Sequence, residues 1–188
     1  MTKGRNGPKE VHQDDRGRSM TTTNGTLTPL QMTTIVVLRV VIGWHFLYEG
    51  IAKLSKPAWS AAGFLSQSRG PLASVFHWMA ADPDRLAVVN RMNMWGLTAI
   101  GLGLVLGCFT RAASASGIVM ILLFYLCNPP FPGYFYSIPM EGSYVVVNKN
   151  LVELVGLAVI LVTGSGRAAG LDRFIHALLR GRDHPAAA

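Results

Sequence analysis

Apolar residues are concentrated in four segments of the chain, and polar or proline-rich connections separate these segments. They cover about residues 33–54, 93–109, 112–127 and 144–164. A helix needs about 20 mostly apolar residues to cross the hydrocarbon core of a membrane. The first and fourth segments have that length, and we expect the second and third to extend past the limits given. The pattern predicts an all-α integral membrane protein built as a four-helix bundle.

The two ends of the chain differ from this central part. Residues 1–31 are polar and contain no apolar stretch of the kind found in signal peptides, so they are expected to form a disordered tail that starts at Met1 or Met20. Residues 32–166 form the predicted membrane domain. Residues 167–188 are basic, and their apolar positions recur at the spacing of a helix that lies on a membrane surface.

The two longer connections are rich in aromatic residues. The first, PAWSAAGFLSQSRGPLASVFHWMAADP, has apolar residues at mixed helical spacings, which predicts short amphipathic helices in the membrane interface. The second, NPPFPGYFYSIPMEGS, contains too many prolines for a regular helix. We expect it to cover the outer end of the bundle.

Basic residues indicate how the chain is oriented. The sequence has 17 Lys and Arg against 10 Asp and Glu, and the basic residues are frequent near both ends, with Arg111 in the short turn between the second and third spans. Positively charged loops face the cytoplasm, which predicts a protein of the cytoplasmic membrane with both termini inside. Basic residues do not alternate with aromatic ones along a stripe, so a nucleic-acid partner is not expected.

Two sequence patterns resemble cofactor motifs. The segment GLGLVLG lies inside an apolar span with no strand before it, so a dinucleotide site is excluded, and Gly103 and Gly107 are expected to let a neighbouring helix approach closely. Cys108 and Cys127 are expected at opposite ends of the bundle, too far apart for a disulfide. The histidines lack metal-ligand spacing, and no metal or flavin motif is found.

Ionisable residues cluster at the outer end of the first span. His45, Glu49 and Lys53 are spaced four residues apart and therefore share one helix face. The fourth span, expected to begin at Tyr144 behind a Ser143 cap, brings further polar groups to similar depth: Asn148, Lys149, Asn150 and Glu153. A charge that faces lipid costs several kcal/mol, so these groups should face the bundle interior.

A purely structural interpretation of the cluster remains open. In it, Lys53 and Lys149 extend to the lipid headgroups and the two carboxylates only neutralise them. Arg39 lies about 20 Å deeper in the membrane at 1.5 Å per residue. We expect a structural role for it, either reaching the inner surface or pairing with Asp172.

The segment LRVVIGWHFLYEGIAKL resembles the opening signature of the DoxX/DoxD membrane family. The matching residues are Arg39, Gly43, Phe46, Gly50 and Lys53. Later segments, including WGLTAIGLGLVLGCFTR and NKNLVELVGLAVIL, look like the DoxD branch, the large subunit of thiosulfate:quinone oxidoreductase. The resemblance implies a four-helix bundle that passes electrons from thiosulfate, or another reduced sulfur compound, to quinone.

The resemblance gives the polar cluster a chemical interpretation. Quinone reduction consumes two protons, which His45, Glu49 and Glu153 could pass as catalytic groups. Four residues are candidates for binding the substrate and the quinone, namely Lys53, Asn148, Lys149 and Asn150. They supply hydrogen-bond donors for the quinone carbonyls and positive charge for an anionic electron donor. Gly43 and Gly50 are structural in this interpretation.

The resemblance to the family also implies partner molecules. The family enzyme has a second small subunit, so we expect a partner protein or a homo-oligomer, in addition to membrane lipid and quinone. A different function remains open, namely a non-enzymatic membrane anchor that holds a partner oxidoreductase. A transporter is disfavoured, because the spans carry no signals of the broken helices on which alternating access depends.

Overall fold

The computed structural model describes residues 27–137, 145–167 and 170–173, and these residues form six α-helices and a short 3-10 helix. The helices are α1 (Pro29–Leu54), α2 (Ala62–Ser66), α3 (Ala73–Ala80), α4 (Pro83–Leu106), α5 (Thr110–Cys127) and α6 (Lys149–Thr163), and the 3-10 helix is Ser165–Arg167. Most of the predicted tail and of the predicted C-terminal surface helix lies outside the described residues.

Local capping explains where α1 and α4 begin. Thr28 accepts a hydrogen bond from the Gln31 backbone N–H at 3.3 Å, and the Gln31 side chain accepts one from the Thr28 N–H at 2.8 Å, which forms a capping box. Asp82 caps α4 by accepting from the Arg85 N–H at 2.9 Å, and this bond lowers the pKa of the Asp82 carboxyl. The helix of the second span thus begins at Pro83. Its first turns are polar, so the apolar segment that starts near residue 93 marks only the later part of the helix.

The fourth long helix begins later than its apolar pattern suggests. Asn148 caps α6, with its side-chain oxygen accepting from the Leu151 N–H at 3.1 Å, so the helix starts at Lys149 and not at Tyr144. Val145 has a φ of 65°, which is incompatible with a right-handed helix. Val145 and Val146 therefore belong to a turn and Val147 lies between that turn and the cap, while the expected cap at Ser143 lies outside the described residues.

The four long helices form an all-α membrane bundle. Helix α1 packs on α4 and α6, and α5 packs on the same two helices, so each long helix has two main neighbours. The core contains fully buried apolar side chains from three of them, including Phe46, Leu104 and Leu157. Large apolar residues such as Trp44, Tyr48 and Trp95 are exposed on the outside, and α1 and α5 are long and apolar enough to span a membrane. An apolar outer surface of this extent suits contact with lipid.

Glycines allow α1 and α4 to pack closely. A Cβ atom on Gly43 would lie 2.7 Å from the Leu104 Cβ, and one on Gly50 would lie 2.6 Å from the Thr98 backbone nitrogen. On α4, a Cβ at Gly101 would lie 2.6 Å from the Leu47 Cα. The absence of side chains at these three positions therefore sets the distance between the two helices.

Gly107 has a different position from the one expected. It ends α4 as a C-cap with a φ of 65°, a conformation that glycine adopts without strain. Gly103 lies inside the helix, where an added Cβ would be 3.1 Å from the Ala113 Cβ. Only Gly103 thus fits the helix-packing role that the sequence suggested for both residues.

Short amphipathic helices lie in the connection between α1 and α4, as the sequence predicts. This connection is called the first outer connection, its end of the bundle the outer end and the opposite end the inner end, after the predicted orientation in the membrane. Helices α2 and α3 form a second apolar cluster with the end of α5, which includes Leu65, Phe76 and Cys127. Ser68 donates its hydroxyl hydrogen to the Cys127 carbonyl at 2.7 Å, and the Asn128 side chain donates to the Phe64 carbonyl at 3.0 Å. These bonds hold the connection against the outer end of α5.

Candidate functional site

A contact between a histidine and a carboxylate joins α1 and α6 near the outer end of the bundle. The His45 Nε2 lies 3.5 Å from the Glu153 Oε1, and the two side chains come from different helices. Glu153 is mostly buried, with 17% of its side chain exposed, whereas 40% of the His45 side chain is exposed. The structure therefore brings together two of the three residues that the sequence suggests for proton transfer.

The third of these residues, Glu49, pairs along its own helix. Its Oε2 accepts a hydrogen bond from the Lys53 Nζ, one turn further along α1. The Lys53 ammonium also lies 5.6 Å from the centre of the Trp59 ring, a cation–π distance. Lys53 is thus held between a carboxylate and an aromatic face, with 18% of its side chain exposed.

The two pairs form one electrostatic group. His45 and Lys149 both act on the Glu49 carboxylate, in addition to its direct partner Lys53. The two carboxylates, Glu49 and Glu153, are balanced by the two lysines, so the group is neutral when His45 is neutral. Such a balance is what a partly buried set of charges requires.

The remaining predicted ligands occupy the first turn of α6. The Asn148 carboxamide oxygen is engaged in capping the helix, so this residue has a structural function as well as a free amide group to offer. Lys149 is exposed and Asn150 is partly buried. These three residues and the two pairs are called the outer rim below, and they line the side of the bundle formed by α1 and α6.

Arg39 lies at the opposite end of the bundle and is 3% exposed. A Cβ atom on Gly107 would be 3.0 Å from its Nη1 and Nη2, which places the guanidinium against the end of α4. Asp172 acts electrostatically on it and also accepts hydrogen bonds from the Phe109 and Thr110 N–H groups, at 2.6 and 3.0 Å. The structure thus brings Arg39 and Asp172 to one inner corner, beside the start of α5.

Sequence reasoning did not identify the buried hydroxyl groups of the inner half. Thr110, Ser114 and Ser165 are each almost fully buried, and within the described part of the chain their hydroxyl oxygens have no hydrogen-bond partner. The Arg39 Nε and Nη1 are likewise without one there. The signal in the sequence was weak, because single Ser and Thr residues in apolar helices most often pack against a neighbouring helix.

A cavity of about 550 Å³ is the second feature that the sequence did not reveal. It lies between the first outer connection and the groove of α4 and α5, and Phe64, Phe76, Met92, Asn93 and Phe124 are among its lining residues. Helices α1 and α6 contribute no lining residue, so the cavity and the outer rim are on different sides of the bundle. The lining residues come from four separate segments, which no local pattern connects.

The described residues contain no group of three or more His, Cys, Asp or Glu side chains that could hold a metal ion. Cys108 and Cys127 are both free thiols, at the inner and outer ends of the bundle.

Comparison with known proteins identifies a family. The family model described as DoxX matches residues 34–127, which is half of the chain. This region runs from the second turn of α1 to the end of α5, and therefore includes Arg39, the His45–Lys53 face and the cavity-lining helices. No curated protein and no solved structure matches the chain.

Proposed function

The chain belongs to the DoxX family of membrane proteins, and we propose on this basis that it is the membrane subunit of a quinone-linked oxidoreductase. The donor would be thiosulfate or another reduced sulfur compound, and the redox group would belong to a partner subunit. The protein would lie in the cytoplasmic membrane with both termini inside, so the outer rim would face the external side.

One observation carries this proposal, namely the linked carboxylates of the outer rim. Glu153 lies 3.5 Å from His45, and Glu49 is paired with Lys53, within helices whose outer surface is apolar. Ionisable groups at this depth are costly and are functional more often than not. His45 and the two glutamates can each accept and release a proton, which a proton path requires.

The lysines support the second half of the proposal. Lys149 and Lys56 are exposed, and Lys53 is paired with Glu49 beside Trp59. Because Glu49 and Glu153 offset Lys53 and Lys149, Lys56 adds a net positive charge next to this group, and such a charge attracts anions and raises their local concentration. An anionic sulfur compound, or an anionic patch on a partner subunit, would therefore be drawn to this end of the bundle. Asn150 and the Asn148 amide would be hydrogen-bond donors to such an anion at the rim.

The Glu49→Gln variant tests the proton-transfer role. Glutamine keeps the shape and hydrogen-bonding capacity of the side chain but cannot titrate, so quinone reduction per mole of folded protein should fall about 10²- to 10⁴-fold. Glu153→Gln should have an effect in the same direction. Turnover must be measured in the complex with the partner subunit, together with the detergent-resistant yield of folded protein.

A structural Glu49 would behave differently. Removing its charge would leave Lys53 partly buried beside an uncharged side chain, so the folded yield would fall while specific turnover stayed normal. The double variant Glu49→Gln/Lys53→Met would then recover that yield. Normal specific turnover in Glu49→Gln would rule out the proton-transfer role and favour a non-enzymatic anchor for a partner oxidoreductase.

A further inference from the structure

The cavity between the first outer connection and the α4–α5 groove has the size and wall of a small-molecule site. Its volume of about 550 Å³ is within the roughly 300–1,000 Å³ typical of ligand pockets. Apart from Asn93 and Ser116, the lining residues are apolar or, in the case of Cys127, only weakly polar. Such a wall favours a mostly apolar ligand.

The cavity is long in the direction of the helices. Its α5 wall runs from Ala115 to Cys127, which is about 18 Å at 1.5 Å per residue. A ligand that fills it must therefore be elongated, like a single isoprenoid or acyl chain.

The cavity is open toward the membrane. Met92, Val119 and Leu123 line it and are also exposed on the apolar outer surface of the bundle, with 68% of Met92 accessible. A ligand would therefore enter sideways from the hydrocarbon phase. This route suits a molecule that is already dissolved in the bilayer.

One carboxamide in the wall can bind a ligand. The Asn93 Oδ1 is buried and has no hydrogen-bond partner among the described residues. Asn93 as a whole is only partly buried and lines the cavity, so the other end of its carboxamide is the one that a ligand can reach. A carboxamide can either accept or donate, depending on which way it is turned. It would thus match a carbonyl group and, after reduction of the ligand, a hydroxyl group at the same place.

The position of Asn93 also orients the ligand. Gly96 on α4 is level with Met120 on α5, because a Cβ atom on Gly96 would lie 2.6 Å from the Met120 Cε. Asn93 lies about one turn further out on α4 and is therefore level with the outer part of the α5 wall. The Phe64 and Phe124 rings also line this part and pack edge to face, with their centres 5.9 Å apart. A flat ring fits between Asn93 and these aromatic side chains, with a tail running inward toward Ala115.

We propose that this cavity binds a prenylated quinone, with a ring oxygen hydrogen-bonded to Asn93 and the tail along α5. The choice of a quinone rests on the proposed function, whereas the elongated apolar site and its Asn93 carboxamide do not. A phospholipid has two chains and a charged headgroup, and neither feature matches this wall. The site differs from the outer rim, which is formed by α1 and α6.

Binding to the full chain in nanodiscs of synthetic phosphatidylcholine tests the proposal. The probe is a benzoquinone with a short isoprenoid tail that carries a photoreactive group, and mass spectrometry locates the cross-links. We expect cross-links on α5 between Ala115 and Cys127. Ala115→Phe fills the cavity and should reduce binding at least tenfold, and Asn93→Leu should reduce it about five- to tenfold through loss of one hydrogen bond.

Two further variants make the test specific. Ala99→Phe adds the same ring to an exposed position on α4 that does not line the cavity, and it should bind the probe normally. Asn150→Leu removes a hydrogen-bond donor of the outer rim, which the sequence suggests as the quinone site, so normal probe binding in this variant separates the cavity from that alternative site. Asn93→Leu and the cross-link positions in the unaltered chain give a measure that does not depend on how well the Ala115→Phe variant folds.

The outcomes separate this proposal from the general function. Loss of probe binding in Asn150→Leu, with normal binding in Ala115→Phe and Asn93→Leu, would overturn the cavity site and leave the quinone-linked function standing. Displacement of the probe by a photoreactive phospholipid at equal concentration would overturn the choice of ligand. If the unaltered chain bound no quinone probe, both the cavity proposal and the quinone-linked function would fail.

Discussion

The bundle accommodates its two charged ends in different ways, as Lys53 and Arg39 show. Lys53 remains near the outer surface between Glu49 and Trp59, but Arg39 is only 3% exposed at the inner end. Its guanidinium depends on the Asp172 charge, while Asp172 has additional partners in the Phe109 and Thr110 N–H groups. The two members of this pair should therefore respond unequally to substitution.

We predict that Asp172→Asn destabilises the protein by about 3–5 kcal/mol, because it leaves the Arg39 charge buried without compensation. Arg39→Met should cost less, since Asp172 keeps its backbone donors and the positive end of α5. In the Arg39→Met background, Asp172→Asn should then have a much smaller effect. Unfolding of the unaltered protein, the two single variants and the double variant in detergent micelles measures this double-mutant cycle. Additive losses of stability would show that the two residues act independently.

Helix packing depends on a few positions without side chains. Gly50 of α1 faces the backbone of Thr98 on α4, and an added Cβ would be 2.6 Å from the Thr98 nitrogen. A contact with backbone cannot be relieved by turning a side chain. Separation of the two helices is then the only way to accommodate the methyl group.

Gly50→Ala should accordingly lower stability by about 1–3 kcal/mol, the range typical of overpacked sites. Gly63→Ala is a matched control, because a Cβ there would meet nothing within 4 Å in helix α2. That substitution should be neutral or stabilising by about 0.5–1 kcal/mol, since alanine favours a helix over glycine. Equal melting temperatures for the two variants would contradict close packing at Gly50.

At the scale of the whole molecule, orientation in the membrane decides which compartment the outer rim meets. Four alternating spans return the chain to the side from which it started, and the basic residues near both ends favour the cytoplasm for that side. A reporter that is active only in the cytoplasm should therefore work when fused after residue 170 and not when fused after residue 140. The reverse pattern would place the outer rim inside the cell and remove its access to an external donor.

Much of the architecture was predictable because it follows from local pattern. Apolar segments of sufficient length predict membrane helices, and four-residue spacing places His45, Glu49 and Lys53 on one face whatever surrounds them. The family signature lies in the same helix. Helix ends were less predictable, since α6 begins at Lys149 through the Asn148 cap although apolar residues precede it.

The sequence by itself determined the all-α membrane class and the residues that form the outer rim, because helical periodicity acts over a few neighbouring positions. Only the tertiary structure decided that His45 meets Glu153, that Gly50 faces Thr98, and that Asn93 lies in the wall of a cavity. These contacts join residues far apart in the chain, and they depend on how closely and at which register the helices pack. Side-chain volumes at many interface positions set that register together, so no single segment of the sequence contains it.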